Sequence, residues 1–290
     1  GDDGGGSSGG LEGWATQNGG TTGGAGGDTV TVSSASGLIN AMQSSEPLTI
    51  QLNGSVNLSG MNDIASDKTL VGLGSGATIT GGGIDVDEAH NVIIQNINFA
   101  DWDDDAINLQ DASTNVWIDH NSFTNGDDGA IDIKRESDYV TVSWNHIYNH
   151  GKSMLLGHSD DHTEDIGHLR VTYHHNFFDG SESRHPRVRF GNPVHVYNNY
   201  YRDNAEYGVA STMGAGVLVE ANYFENVDHP THVGYAASDP GSLIAQNNVY
   251  DNSGSPETSG NVNPIPYSYT TDNPNNIPSI VTNNAGPGNI

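Results

Sequence analysis

Apolar and polar residues alternate over four to five positions, break at a polar turn, and resume with an aromatic or aliphatic residue. This unit returns through much of the chain: "NVIIQNINF" (91–99), "NVWIDHNSF" (115–123), "YVTVSWNHI" (139–147), "HLRVTYHHNFF" (168–178), "PVHVYNNYY" (193–201), "GVLVEANYF" (216–224) and "SLIAQNNVY" (242–250). The first apolar position of each falls near 92, 116, 140, 169, 194, 217 and 243, giving intervals of 24, 24, 29, 25, 23 and 26 residues. Period-two alternation followed by a turn predicts a short strand and then a bend.

One such strand cannot bury its apolar face alone, but units stacked in register cover one another. The pattern therefore predicts an all-β fold, a single right-handed parallel β-helix with coils of about 23–29 residues. The repeat lacks the leucine spacing of a leucine-rich horseshoe, and a propeller blade needs about 40 residues. Asn121, Asn145, Asn199, Asn222 and Asn248 occupy equivalent turns and should form a column of side-chain amides bonded between coils. The segments "LTIQLNGSV" and "TLVGLGSGATITGGGIDV" read as opening coils. "SSASGLINAMQ" (33–43) reads as a short Ser-capped amphipathic helix that plugs the open end. Beyond about residue 251, Asn, Pro, Gly and Ser predict an irregular tail along the solenoid. Residues 11–290 form one domain; residues 1–10, "GDDGGGSSGG", read as a flexible tether to an export signal, a lipid anchor or an expression boundary.

Composition narrows the chemistry. Cysteine is absent, which excludes disulfides, thiolate metal sites and cysteine nucleophiles. Acidic side chains outnumber basic ones 36 to 9, for a net charge of −27. This disfavours nucleic-acid and anionic-membrane partners and matches a surface adapted to high salt, where the Debye length is about 3 Å at 1 M. No apolar run reaches the roughly 20 residues of a membrane-spanning helix. Nothing in the pattern calls for an oligomer.

Against this acidic background, two segments stand out. Residues 103–132 concentrate carboxylates: Asp103, Asp104 and Asp105 in "DWDDDAI", then Asp127, Asp128 and Asp132 in "GDDGAIDIK". Asp105 and Asp128 are 23 residues apart, close to the coil period, so they should lie one above the other. Clustered carboxylate oxygens suit Ca²⁺, which takes about 6 to 8 oxygen ligands; a salt-adapted acidic face is the bland alternative. "RHPRVRF" (184–190) holds three of the nine cations, and Lys152 lies on a preceding coil. Strand alternation puts Arg187 and Arg189 on one face and leaves Arg184 on a bend. Acids that bind a cation, next to guanidinium and ammonium groups, make a receptor for a polycarboxylate; salt bridges to the acidic surface are the alternative. The thirteen histidines, including those of "HSDDH", mostly sit beside Asn and Tyr in the repeat, where stacking is the commoner role, and this weighs against zinc. No G-x-S-x-G turn supports a serine hydrolase.

These motifs resemble the pectate lyases of polysaccharide lyase family 1, within the pectate lyase and pectin lyase superfamily. The resemblance runs from "GWATQNGGTTGGAGG" (13–27) through "DAINLQDASTNVWIDHNSF", "DGAIDIKRESDYVTVSWNHI", "GKSMLLGHSD" and "RHPRVRFG" to "AGPG" (285–288). It implies an exported β-helical enzyme that cleaves polygalacturonate by Ca²⁺-dependent β-elimination. It further implies Asp105, Asp128 and Asp132 as calcium ligands, Asp103 as a fourth, Arg184 as the base, and Lys152 and Arg189 as binders of the substrate carboxylate. Arg187 has no catalytic counterpart, and "WIDH", with Asp119 and His120, is assigned to structure. Retention of the principal acids favours pectate over methyl-esterified pectin. A pectin lyase and a catalytically silent β-helix that binds polysaccharide remain the alternatives. A guanidinium normally stays protonated, with a reference pKa of about 12.5 to 13.8, so an arginine base predicts an alkaline optimum.

Overall fold

A computed structural model describes residues 10–290, so residues 1–9 of the expected tether lie outside the described residues. The chain winds into a right-handed parallel β-helix with three parallel sheets of ten, eight and nine strands. Coils stack in register: Val92, Val116, Val140 and Val171 form one inward column, and Ile84, Ile107, Ile131 and Met154 another. These side chains are fully buried, each contributing roughly 1.5–3 kcal/mol by removal from water. Aromatic rings continue the columns, with Phe99 stacked on Phe123 at 5.1 Å and Tyr201 on Phe224 at 4.3 Å.

The amide column forms and has one more member than the sequence suggested. Nδ2 of Asn121, Asn145, Asn176, Asn199 and Asn222 each donates to Oδ1 of the asparagine on the following coil, at 3.0–3.2 Å, ending at Asn248. Each also donates to a backbone carbonyl of the preceding coil, as Asn176 does to Val142 O at 2.9 Å. The residue before each asparagine turns the chain with positive φ, for example His120 at 51° and Trp144 at 52°.

Asn145 and Asn176 are 31 residues apart, against 24 for Asn121 and Asn145. The long coil is thus longer than the 29 residues inferred from apolar positions. Leu169 sits in the bend with φ 58°, and the strand begins only at Val171.

The expected plug is the helix Ala35–Met42, with the Ser34 side chain accepting from Gly37 N. Leu38 and Met42 close the N-terminal end of the core. The tail departs from expectation: it carries a helix, Ile277–Asn284, whose Ile277 and Val281 pack on Phe177 and Tyr200. Near the N-terminus Trp14 docks on the outer face of the ten-stranded sheet, its backbone N bonded to Thr172 Oγ1. Gly24 belongs to the same crossing, where a Cβ would lie 2.0 Å from Leu48 O.

Candidate active site

The site lies where the eight-stranded sheet meets the bend that precedes it. Asp104, Asp128 and Lys152 recur at intervals of 24 residues on three successive coils. Asp128 N donates to Asp104 O at 3.0 Å, and Lys152 Nζ donates to Asp128 Oδ1 at 3.0 Å. Asp128 therefore stacks on Asp104, not on Asp105, because the coil period here is 24 and not 23. Asp105 is one position further along and accepts from Gly129 N at 2.9 Å. Carboxylate oxygens of Asp104, Asp105 and Asp128 lie within 4.8 Å of one another. Asp103 is exposed and is not a member of this group, whereas Asp104 is.

Asp132 belongs to the strand Ile131–Ile133, whose two isoleucines face the core and leave the aspartate on the outer side. It is nevertheless buried, and its Oδ1 has no hydrogen-bond partner. Gly129 sits against it: a Cβ there would lie 2.1 Å from Asp132 Oδ1 and 2.9 Å from Asp105 Oδ1. Burial pushes the Asp105 carboxyl up to about 6, with Asp104 and Asp128 adding to the rise and Lys134 opposing it. Burial and the Asp105 charge push Asp132 up to about 8, against the pull of Arg184 and Lys134. The acids and Arg184 are thus close enough to sense one another.

Lys152 forms a bridge with Ser183, which places Arg184 at the next bend. Arg184 has φ 63°, a conformation that disfavours side chains with a Cβ. The surrounding bonds impose it: Met154 N donates to Arg184 O at 2.7 Å, and His185 N to Gly208 O at 2.9 Å. His185 is buried, its Nδ1 donating to Tyr207 O and its Nε2 accepting from Ser181 Oγ, both at 2.8 Å. Burial holds this imidazole neutral, at about 4, so it anchors the bend without adding charge.

Arg187 follows Asp132 and Leu155 in one outward column of the sheet. Its Nη2 donates to Ser238 Oγ at 2.9 Å, its guanidinium lies 5.3 Å from the Tyr235 ring centre, and its Nε is buried without a partner. Burial, and then the Arg189 charge, lower its pKa. Arg189 is only 8 % exposed, with Nε on Asp160 Oδ1 at 2.6 Å and Nη1 on Gly157 O at 2.8 Å. Both arginines do share a face, since Asp160 also accepts from Ser238 Oγ.

A cleft of about 360 Å³ runs beside these groups, lined by Asp127, Lys152, Arg184, Arg187, Tyr207 and Tyr235. Glu182 and Glu206 complete its wall. Asp104 was named in the acidic run but given no ligand role, and Asp160, Ser238 and Tyr235 were not singled out in the sequence. For Asp104 a signal existed, its 24-residue spacing from Asp128; the other three reach the site from distant loops. Asp119 and His120 are remote from the cleft and join a buried cluster: Asp119 accepts from Ser143 Oγ at 2.6 Å, and His120 stacks on Trp144.

A groove lined by Lys152, Arg184 and Arg187 suits the binding of an anionic ligand. The family model described as pectate lyase matches residues 7–290. A pectate trisaccharide-lyase of Bacillus licheniformis is 41 % identical over 301 aligned positions, spanning 97 % of this chain and 87 % of that protein. A pectate lyase of Emericella nidulans is 38 % identical, spanning 89 % and 82 %. Among solved structures, a pectate lyase from Bacillus sp. N165 in complex with trigalacturonate superposes with a TM-score of 0.86 at 33 % identity, covering 97 % of this chain and 99 % of that one. Pectate lyase II from Xanthomonas campestris superposes with a TM-score of 0.84 at 28 % identity, with the same coverage. The chain belongs to the pectate lyase family and is a polysaccharide lyase.

Proposed function

We propose that the protein is a calcium-dependent pectate lyase that acts outside the cell on α-1,4-linked polygalacturonate and releases 4,5-unsaturated oligogalacturonates by β-elimination. The observation that carries this reading is the buried, unpartnered Asp132 Oδ1 beside three converging carboxylates, directly ahead of Arg184. An all-oxygen donor set of this kind fits Ca²⁺ better than softer transition metals. Gly129 leaves the space in which the oxygens of Asp105 and Asp132 approach. Asp104, Asp105, Asp128 and Asp132 would hold the ion, with Asp103 outside the group. When bound, calcium supplies positive charge that neutralises a galacturonate carboxylate and so eases removal of the proton on the adjacent C5.

The remaining steps belong to side chains of this chain. Arg184, as a neutral guanidine, takes the C5 proton. The C5–H electron pair forms the C4=C5 double bond, and the C4–O bond breaks with its pair leaving on the glycosidic oxygen, which is protonated by water. Lys152 is half-exposed in its pair with Asp128 and can exchange that partner for a substrate carboxylate at little cost. Arg187 faces the cleft beside it. Arg189, which the family resemblance assigns to carboxylate binding, acts here as a positioning residue: it fixes Asp160, and through it Ser238, behind Arg187. Lys152 and Arg187 stabilise the enolate-like charge that develops on the sugar carboxylate.

Among the described residues no helix is long and apolar enough to cross a membrane. With a net charge of −27, salt screening reduces repulsion between enzyme and polymer, so activity should persist or rise in molar NaCl. The deciding measurement is ultraviolet absorbance of unsaturated product from polygalacturonate at alkaline pH. It is made with Ca²⁺ and with chelator, at low and molar NaCl, and against methyl-esterified pectin. Absorbance that needs calcium and prefers polygalacturonate supports the proposal. Chelator-resistant cleavage, or preference for the ester, overturns it.

A further inference from the structure

The coil that runs from Asn145 to Asn176 is 31 residues long where the preceding one is 24. Its surplus forms an excursion after the strand Met154–Leu156, with the sequence "HSDDHTEDIGH" (158–168) and a 3-10 turn at Thr163–Asp165. Of this segment, sequence reasoning weighed only "HSDDH" (158–162) as a source of zinc ligands and disfavoured it. Folding brings it against Glu136, a residue of the preceding coil's bend.

His162 Nε2 lies 2.8 Å from Glu136 Oε2, and one ligand atom each of Glu136, His162 and Asp165 falls within 4.8 Å of the others. Asp165 is 0 % exposed. Its Oδ1 accepts from Glu136 N at 2.8 Å, while Oδ2 has no hydrogen-bond partner. A buried carboxylate oxygen left unpartnered calls for a cation or a proton. On the far side of the imidazole, His162 Nδ1 faces Glu164 Oε2 at 3.6 Å. The His158 ring stands 5.0 Å away, with its Nδ1 also buried and unpartnered.

We propose that Glu136, His162 and Asp165 form a second metal site, for a divalent transition ion of the zinc class. Imidazole with carboxylates suits zinc and its neighbours, whereas the cleft's acids offer oxygen only. The site is separate from the acids assigned to the lyase reaction. Its effect on the fold is nonetheless directed at the cleft, because the same excursion carries Asp160, the partner of Arg189 and Ser238. An ion joining His162 and Asp165 to Glu136 ties the excursion to the preceding coil and fixes Asp160 in place.

Calorimetric titration of the chelator-treated protein with ZnCl₂, in buffer holding millimolar Ca²⁺, tests this independently of turnover. One Zn²⁺ should bind per chain, and bound zinc at about a hundred times its Kd should raise the melting temperature by several degrees. His162→Gln and, separately, Glu136→Gln should each weaken binding by about 100-fold or more, while Asp128→Asn leaves it unchanged. Co²⁺ should give a visible ligand-field band that His162→Gln abolishes. Circular dichroism of each variant confirms folding, and Asp165→Asn replaces any variant that fails. Absence of stoichiometric zinc, equal binding by the folded variants, displacement by Ca²⁺, or loss in Asp128→Asn instead would overturn the site.

Discussion

Two columns of polar side chains climb the same solenoid and treat their buried atoms in opposite ways. In the asparagine column each interior amide is fully engaged: Asn176 accepts from Asn145 N and Nδ2, and donates to Val142 O and Asn199 Oδ1. At the cleft Asp104, Asp128 and Lys152 keep the same register, yet beside them, in the column of Asp132, Leu155 and Arg187, Asp132 Oδ1 and Arg187 Nε are buried without partners. Identical backbone repetition therefore serves cohesion in one place and, in the other, leaves charge to be satisfied from outside. An unmet polar group is destabilising, and its persistence next to cations of a cleft is what separates the cleft column from the amide column.

The largest break in this contrast should come from Arg184→Lys. Elimination should fall by about three orders of magnitude or more, roughly 4 kcal/mol in the barrier, while affinity for oligogalacturonate stays within a few-fold; stopped assays paired with binding titrations will tell. An equal loss of binding would make Arg184 an anchor and not a base. Asn176→Ala acts on the other column and should lower stability by on the order of 3 kcal/mol, because four hydrogen bonds vanish and buried partners are stranded. Urea unfolding measures that change, and the specific activity of the folded fraction should be unaltered.

Gly129→Ala sharpens the comparison more finely. The added methyl group meets both Asp132 and Asp105, so the Kd for calcium should rise by about 100-fold, or 2.7 kcal/mol, with little loss of fold. Isothermal titration with CaCl₂ checks it, and an unchanged Kd would remove Asp132 from the ligand set.

The most gradual effect is electrostatic, spread over several pH units. Asp105 and Asp132 have pKa values raised to about 6 and about 8. The metal-free folded chain therefore keeps protons that the unfolded chain sheds near pH 4. Its stability should then decline as pH rises from about 4 toward 8, by at most about 1.4 kcal/mol per pH unit for each carboxyl. Calcium favours the ionised carboxylates and should flatten the decline. Urea midpoints across that range, with and without calcium, test the sign; the amide column has no titrating member and contributes none of it.

How much of this was readable beforehand follows from what each signal depends on. Strand alternation and coil period are local, so the β-helix and its columns emerged from the chain directly. The Asp103–Asp104–Asp105 run shows the limit: three adjacent acids offer three phases, and only the bond from Asp128 N to Asp104 O selects one. Asn176 escaped because the coil before it is long and its neighbours are His174 and His175, not the usual strand residues. The engagement of Arg189 was hidden for a related reason, since Asp160 lies in the surplus of that same coil and Ser238 arrives from a far loop. The helix Ile277–Asn284 has only Ile277 and Val281 as buried anchors, too few to reveal a period against Pro and Asn.

The long coil also carries a lesson about heritable change. Although it exceeds its predecessor by seven residues, Val140 still pairs with Val171 and Ile147 with Phe178, so the sheets run on undisturbed. Length is absorbed entirely at a bend. Each bend thus behaves as a cassette that selection or a protein engineer can lengthen, shorten or exchange while the rod beneath is conserved. New specificity can then be written on the molecule's flank without renegotiating the packing of its interior.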